Sequence, residues 1–422
     1  MTRRTALLVV TVAAIVPRVI VVAVEREELL EGLTEKSDRF ARVLVDSGTF
    51  GFIAGRPSAF TQPLYSLVLA PVYATVGRSW LSVSLLHILL AVGTALLVYL
   101  IGERVSSRPV GVTAALLATL HPYVVWHDVH VNREVVDGFL AALLTLLVVL
   151  ATERNSIRFA AFAGAASGLA VLGNARLALL PAVLAVYLLF VMTPTRRALG
   201  AAGLMIGLAV VVVSPWVVRN EVSVGCAALT TDSRALWKAN NLETYTILAR
   251  GEWIDQVPQL PDSPVWPERA ADITERTGRV VEVDECAQMR YYRGLVVDFW
   301  REHPGEKAKL SAQAVRMLWS PRVTVDESGP SSGVAGFAKD VGEPLYIVTL
   351  IGLALVGVSR LPRRFLALVI VLLAYQTVMA MVFAGTVRYR VPWDFLVCVP
   401  AAVGLARVAT FLQRRLRGVR TA

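Results

Sequence analysis

Long apolar runs alternate with short polar connections along most of the 422-residue chain. The runs are about 15 to 24 residues long, enough for a helix to cross or nearly cross a hydrocarbon core of about 30 Å. None alternates like a membrane β-strand, so helices must satisfy the backbone hydrogen bonds in lipid. The pattern predicts ten spanning helices, at 5–24, 80–101, 109–126, 135–151, 159–173, 177–193, 198–217, 343–358, 365–385 and 391–411.

One further apolar run, 63–77, decides the orientation of everything that follows it. If it lies along the membrane interface, every loop on the N-terminal side is basic, as expected of cytoplasmic loops. If it crosses, all later basic clusters lie on the opposite side of the membrane, against this rule. We therefore predict that 63–77 is an interfacial helix. The residues thereby assigned to the cytoplasm are Arg3, Arg4, Arg104, Arg108, Arg154, Arg158, Arg196, Arg197, Arg360, Arg363, Arg364, Arg414, Arg415, Arg417 and Arg420.

This topology predicts an all-α, multi-pass protein of the cell membrane with both termini in the cytoplasm. It leaves two long segments outside, and the second is long enough to form a small extracytoplasmic domain. The predicted parts are an N-terminal membrane module at 1–219 with a first outer loop at 25–79, the outer domain at 220–342, and C-terminal helices with a basic tail at 343–422.

Composition changes this picture in two respects. The formal net charge is +10, but the basic residues form short clusters between apolar runs, so topology accounts for them and we expect no nucleic-acid partner. Cys226 and Cys286 both fall in the second outer segment, where a disulfide between them is plausible. The alternative is two unrelated buried thiols.

Six arginines break the charge rule, and they mark the outer end of the bundle as a candidate site. Several guanidinium groups on one face suit an anion such as a lipid phosphate, because guanidinium binds phosphate oxygens in a fork. The alternative is that each one snorkels or pairs with Asp128, Glu134 or Asp394. The six are Arg18, Arg133, Arg176, Arg219, Arg388 and Arg390.

Carboxylates at the same end are candidate catalytic groups. Glu35 and Asp38 follow the first helix, and Asp128 and Glu134 flank the third and fourth. A buried carboxylate beside arginines can act as a general base toward a hydroxyl group. For Glu35 the alternative is a solvated face, and for Asp128 with the neighbouring His127 it is a hydrogen-bonded cluster. A divalent metal there is conceivable, but we expect no metal or other cofactor.

The order of several motifs resembles the GT-C glycosyltransferases, above all the protein-mannosyltransferase-like group (glycosyltransferase family 39), with its aminoarabinose-transferase and RgtA/B/C/D-like members. The motifs are spread over nearly the whole chain. They are ARVLVDSGTFGF followed by TQPLYSLVLAPVYATVGRSW, then VNREVVDGFLAALL, SPWVVRN followed by LWKANN, HPGEKAKLSAQAVRMLW, and VRYRVPWDFLVCVPAAVGLA.

The resemblance implies transfer of a sugar from a polyprenyl-phosphate carrier to a hydroxyl of a glycan, lipid or protein acceptor at the outer face. Asp38 would be the base and Glu35 its rival, because aligning on Ala41-Arg42 puts the family's acid near Leu33 to Glu35. Glu134 would orient the acceptor or the base. The residues that would bind phosphate or substrate are Arg133, Arg388, Arg390, Arg176, Arg219, Tyr389, His127 and Asp128.

On this interpretation Asp38 and Arg390 face one chamber around the lipid headgroup. Two other functions use the same charged residues. A transporter or flippase of a lipid-linked anion would need the arginines, and a non-catalytic subunit would keep a degenerate site. The large outer domain and the acidic first loop favour the enzyme.

Overall fold

A computed structural model of the chain describes residues 1–31, 35–261, 263–324 and 336–419, with side chains at all of these except 338 and 415–419. Helices dominate this part of the chain. The membrane module contains α1 (Arg3–Glu25), α2 (Lys36–Ser47), α3 (Pro63–Val76), α4 (Trp80–Val105), α5 (Arg108–Thr119), α6 (Pro122–His127), α7 (Glu134–Glu153), α8 (Ile157–Gly173), α9 (Leu180–Val191) and α10 (Thr195–Val224).

The remaining helices form a head and a C-terminal group. We call residues 225–324 the head. Its helices are α11 (Ser233–Lys238), α12 (Thr244–Ala249), α13 (Pro267–Thr277), α14 (Glu285–Glu302) and α15 (Pro304–Leu318). The C-terminal helices are α16 (Glu343–Gly357), α17 (Arg363–Val382), α18 (Val387–Arg390) and α19 (Phe395–Val419).

Seven helical segments of the described chain are long and apolar enough to cross a membrane, so the chain is a multi-pass membrane protein. They are Arg3–Glu25, Trp80–Val105, Glu134–Glu153, Thr195–Val224, Lys339–Arg360, Arg363–Val382 and Phe395–Arg414. The predicted segment 63–77 forms a separate helix, α3, whose 14 residues are too few to cross a bilayer alone.

Three predicted spans are not among these seven long helices. Segments 159–173 and 177–193 form the shorter helices α8 and α9. Segment 109–126 divides into α5 and α6 around His121, whose backbone is extended with ψ of 122°. The cause is Pro122, because proline has no N–H to donate and disfavours helical backbone at the residue before it.

The ends of the helices collect at two opposite ends of the bundle. Arg3 and Arg108 lie 3.8 Å and 3.1 Å from the carboxylate of Glu103, and Arg104 lies 3.3 Å from that of Glu153. These contacts gather predicted cytoplasmic arginines at one end, the basic end. The first loop, the head and the candidate site residues lie at the other, the site end. The predicted grouping is reproduced for the loops that carry these three arginines. Arg420 and the side chains of Arg415 and Arg417 lie outside the described residues.

Small residues let some helices approach closely. A Cβ added to Gly357 in α16 would lie 1.9 Å from the carbonyl oxygen of Pro400 in α19, and one added to Gly404 would lie equally close to that of Leu353. Such backbone contact is typical of helices associating in membranes. Here it fixes α19, and with it the short helix α18 that precedes it, against the bundle.

The head is tied both to α10 and to the first loop. Cys226 and Cys286 form a disulfide with Cα atoms 5.9 Å apart, which confirms the predicted pair and joins the end of α10 to the start of α14. Glu285 accepts hydrogen bonds from the backbone N–H of Ala59 at 3.0 Å and from the hydroxyl of Thr231 at 2.7 Å. The first loop therefore lies between the bundle and the head.

Candidate active site

Three charged side chains from distant parts of the chain meet at the site end. The Arg388 guanidinium donates to both carboxylate oxygens of Glu134, with Nη2 3.2 Å from Oε2, and Nη2 also donates to Oε1 of Glu35. Arg388 lies in α18, Glu134 begins α7, and Glu35 immediately precedes α2. We call Glu35, Glu134 and Arg388 the carboxylate–arginine cluster.

Glu35 is the more accessible carboxylate of the cluster. Its side chain is 19% exposed, whereas that of Glu134 is 6% exposed. Within the described residues only its Oε1 has a partner, so Oε2 is available to a ligand. Burial raises the pKa of Glu35, and the negative charge of Glu134 raises it further. Its backbone N–H donates to the carbonyl of Val131 at 3.1 Å, which fixes its place in the loop.

Arg133 connects this cluster to the first loop and to the turn before α9. Its Nη1 donates to Oε1 of Gln62 at 3.1 Å, and its Nε lies 3.7 Å from Oδ2 of Asp137. The same Oδ2 accepts a hydrogen bond from Asn174 at 3.2 Å. Because Asp137 is one helical turn after Arg133, the two face the same side of α7.

Arg176 forms no ion pair with a carboxylate in the part of the chain that the structure describes. Its guanidinium lies 3.4 Å from the ring centroid of Tyr389, and its buried Nε makes no hydrogen bond within the described residues. The hydroxyl of Tyr375 donates to the backbone carbonyl of Arg176 at 2.7 Å, which fixes the main chain there. A stacked guanidinium without a counter-ion can bind an anion that enters the site.

An apolar groove begins near Arg176. It lies between α9 and α17 on the outside of the bundle and has a volume of about 580 Å³. Leu179, three residues after Arg176, lines one part of it, and Phe190 lines the part toward the other end of α9. The other lining residues are Ala182, Val183, Val186, Tyr187, Val191, Ala367 and Val371. The groove has the dimensions and the apolar lining that a hydrocarbon chain requires.

Asp38 is enclosed by partners of its own. Its Oδ1 accepts hydrogen bonds from the Tyr73 hydroxyl at 2.6 Å and from Nε of Arg78 at 2.9 Å, and its Oδ2 lies 3.3 Å from Nε of Arg42. Only 3% of the side chain is exposed. Both oxygens are therefore matched by protein groups, and the carboxylate joins α2 to α3.

Arg390 is enclosed in another place. Its Nε donates to Asp394 at 3.0 Å, and its Nη1 donates to the carbonyls of Leu318 and Ser320, each at 2.9 Å. These bonds hold the end of α15 against the start of α19. The expectation that Asp38 and Arg390 face one chamber is wrong, because each is surrounded by its own partners. For Arg390 the predicted alternative, pairing with Asp394, is what the structure shows.

Arg219 supports the first loop. Its guanidinium donates to the carbonyls of Ser58 at 2.8 Å and Phe50 at 3.0 Å, and it lies 4.9 Å from the ring centroid of Trp216. The structure therefore places it beside the turn of the loop and not with Arg388.

The histidine–aspartate motif does not converge on one point. Asp128 accepts a hydrogen bond from Nε of Arg18 at 2.9 Å, while the ring of His127 stacks on Tyr123 with centroids 3.7 Å apart. His130 lies 3.1 Å from Glu25. Throughout the described ranges, no group of three or more His, Cys, Asp or Glu side chains is arranged to hold a metal ion.

Sequence reasoning missed several of these features. Asp137 was detectable, because it stands four residues after Arg133 in the same motif. Gln62 and the groove carry no local signal, since each depends on contacts between segments far apart in the chain. The same is true of Arg234, which stacks on Trp266 in the head.

Comparison with known proteins gives one sequence match and several structural ones. Residues 57–218 match the family described as Dolichyl-phosphate-mannose-protein mannosyltransferase. No curated protein matches the chain in sequence.

Two structures of oligosaccharyltransferase from Archaeoglobus fulgidus share the fold. The first, AglB in complex with an inhibitory peptide and a dolichol-phosphate, aligns with a TM-score of 0.56 and 14% identity over 98% of this chain and 52% of its own. The second, in complex with Zn and sulfate, aligns with a TM-score of 0.54 and 12% identity over 97% and 50%. The chain thus spans about half the length of these proteins.

A structure of ArnT from Cupriavidus metallidurans in the apo state also aligns, with 16% identity over 92% of this chain and 77% of its own and a TM-score of 0.38. The fold assignment is based on the two archaeal structures. It agrees with the family match in the first half of the chain and confirms the resemblance seen in the sequence. The chain has the fold of the GT-C membrane glycosyltransferases, and its residues 57–218 carry the sequence pattern of the Dolichyl-phosphate-mannose-protein mannosyltransferase family.

Proposed function

We propose that the chain is a glycosyltransferase that moves a sugar from a polyprenyl-phosphate carrier to an acceptor hydroxyl on the extracytoplasmic side of the cell membrane. The observation that carries this proposal is the arrangement of the site end. The Glu35 carboxylate, whose Oε2 has no partner among the described residues, lies there beside Arg388. At the same end the guanidinium of Arg176 has no ion-pair partner within the described residues, and Leu179, three residues further along the chain, lines an apolar groove.

Two observations support the proposed sidedness. The basic end collects arginines from several loops, as expected of a cytoplasmic face. The site end carries the Cys226–Cys286 disulfide, and disulfides form and persist mainly in oxidising compartments outside the cytoplasm. Both termini would then be cytoplasmic.

The donor would bind with its phosphate at Arg176 and its prenyl chain in the groove between α9 and α17. The guanidinium offers a fork of donors to phosphate oxygens, and Tyr389 holds its plane in place. The groove lining is apolar, so a hydrocarbon chain displaces water or lipid from it without leaving a polar group unsatisfied. The fold relative AglB was solved with a dolichol-phosphate, a carrier lipid of this chemical class.

In the reaction, Oε2 of Glu35 would take the proton of the acceptor hydroxyl as that oxygen bonds to the anomeric carbon of the sugar. The bond between that carbon and the phosphate oxygen breaks on the opposite face, with inversion, and the lipid phosphate leaves with the electron pair. Arg176 and Arg388 would stabilise the negative charge that develops on it. A raised pKa makes Glu35 a stronger base than an ordinary glutamate.

Release of polyprenyl phosphate from a synthetic polyprenyl-phosphate sugar by the purified full-length protein tests this function. We expect release with the native protein, loss of release with Glu35→Gln, and native rates with the matched control Glu31→Gln, an exposed glutamate of the same loop. A donor that stays intact with every acceptor contradicts the proposal. Movement of an intact donor across vesicles would instead identify a transporter.

A further inference from the structure

One buried arginine of the head, Arg234, forms no direct ion pair within the described residues. Arg234 is 8% exposed, its guanidinium lies 3.7 Å from the ring centroid of Trp266, and its Nε makes no hydrogen bond within the described residues. Buried Arg18 and Arg390, by contrast, each donate to a carboxylate. Because an unmatched buried charge is unfavourable, Arg234 has the surroundings of a group that receives an anion from outside the protein.

The charged neighbours of Arg234 are already paired with other groups. Nζ of Lys238 donates to Asp255 at 2.7 Å, and Nζ of Lys36 lies 3.1 Å from Glu268. Each of these two cations is therefore neutralised.

A further carboxylate, that of Asp232, also has a hydrogen-bond partner. Its Oδ1 accepts a hydrogen bond from the backbone N–H of Ala235 at 3.1 Å at the start of α11, and it forms no ion pair with Arg234 within the described residues.

The cationic groups form one cluster. Burial lowers the pKa of Lys238, and the positive charges of Arg234 and Lys36 lower it further. Lys36 also lies 4.7 Å above the ring centroid of Phe60. Phe60 is buried, whereas Trp266 is partly exposed, and its apolar ring surface can pack against the apolar face of a sugar ring.

The position of the cluster identifies its ligand. Lys36 directly follows Glu35 in the chain, so the cluster begins one residue from the candidate base. The donor phosphate has its own guanidinium, Arg176, beside the apolar groove. The side chains of the cluster are charged and aromatic, which suits a saccharide and not a lipid chain.

We propose that Arg234, stacked on Trp266 and flanked by Lys36 and Lys238, binds a phosphate or carboxylate group carried by a saccharide acceptor. The inference rests on the proposed transferase function and narrows its acceptor to anionic saccharides. The acceptor hydroxyl would then lie on the Glu35 side of the bound anion, where the base can reach it.

Calorimetric titration of the full-length protein in detergent tests this site with glucose 6-phosphate as the probe and neutral glucose as its uncharged counterpart. We expect glucose 6-phosphate to bind and glucose to bind at least about tenfold more weakly, because the charged contacts supply most of the affinity. Arg234→Gln should weaken glucose 6-phosphate binding to the level of glucose. Arg279→Gln, which removes an exposed arginine of the same head, should leave it unchanged.

Two further measurements distinguish loss of the anion site from misfolding of the variant. Arg234→Lys keeps the charge but loses the planar fork, so it should bind with intermediate affinity. Arg234→Gln should still bind polyprenyl phosphate in micelles, which shows that it is folded and that the site is not for the lipid headgroup.

Three results would overturn the inference. One is native affinity of Arg234→Gln for glucose 6-phosphate, and another is dependence of that affinity on Arg176 in place of Arg234. The third is joint loss of polyprenyl phosphate and glucose 6-phosphate binding in Arg234→Lys. None of these depends on turnover, so a failure of the proposed function, seen as a donor that stays intact with every acceptor, remains distinguishable.

Discussion

Arg388 and Arg390 stand two residues apart in one motif, yet they lie in different surroundings. Arg388 bridges two carboxylates at a cluster where Glu35 keeps one oxygen without a protein partner. Arg390 is enclosed by Asp394 and two backbone carbonyls. Glu35 and Asp38 differ in the same way, because both oxygens of Asp38 contact protein groups. We therefore propose that Glu35, Glu134 and Arg388 take part in the reaction, and that Asp38 and Arg390 stabilise the fold through their partners.

The largest expected effect comes from the base. Glu35→Gln removes the proton acceptor and should lower the rate of polyprenyl phosphate release by about 10²- to 10⁴-fold, the usual contribution of general base catalysis. Asp38→Asn should leave the rate per folded molecule near the native value, because both oxygens of Asp38 hold other protein groups. Loss of turnover in Asp38→Asn together with native turnover in Glu35→Gln would contradict the choice of Glu35 as the base.

Arg390 should act on stability. Arg390→Gln leaves the buried carboxylate of Asp394 without its partner, which should lower the free energy of unfolding by about 3–5 kcal/mol. The midpoint of thermal unfolding in detergent measures this, and release per folded molecule should change little. A variant with native thermal stability and no turnover would move Arg390 into the active site.

Arg176 should act on donor affinity. Arg176→Gln removes the fork for the donor phosphate and should raise the KM for the polyprenyl-phosphate sugar by about 10- to 100-fold. Arg158→Gln, an exposed arginine outside the site end, is the matched control and should change nothing. An unchanged donor KM in Arg176→Gln would show that the phosphate binds elsewhere.

The smallest expected effect is on the pH profile. A base works when deprotonated, so kcat/KM should fall as the pH drops through the raised pKa of Glu35. Glu134→Gln removes a negative charge that raises this pKa, and should move the acid limb down by as much as about one pH unit. An acid limb that stays in place or moves up would show that another group titrates.

Much of the fold was predictable from local patterns. The apolar runs predicted most of the helices, and the arginine clusters predicted which ends of them come together at the basic end. The predicted span 109–126 is divided in two, and Pro122 is a local cause visible in the sequence. The cysteine pair was predictable because both residues fall in one polar segment.

The candidate site was predictable only in part. The sequence indicates that Glu35, Glu134 and Arg388 lie at one end of the bundle, but not that they touch, because Arg388 is 353 residues from Glu35. The sequence alone favours Asp38 over Glu35 as the base. Only the folded chain shows that Tyr73 and Arg78 enclose Asp38. The groove and the Arg234 cluster depend on packing between distant elements.

A structure of the full-length protein with bound polyprenyl phosphate tests the central claim most directly. We expect a phosphate oxygen within hydrogen-bond distance of the Arg176 guanidinium, the prenyl chain between α9 and α17, and Glu35 on the side from which an acceptor approaches. A phosphate bound at Arg390 or Asp38, with the groove empty and Glu35 remote from the headgroup, would contradict the account.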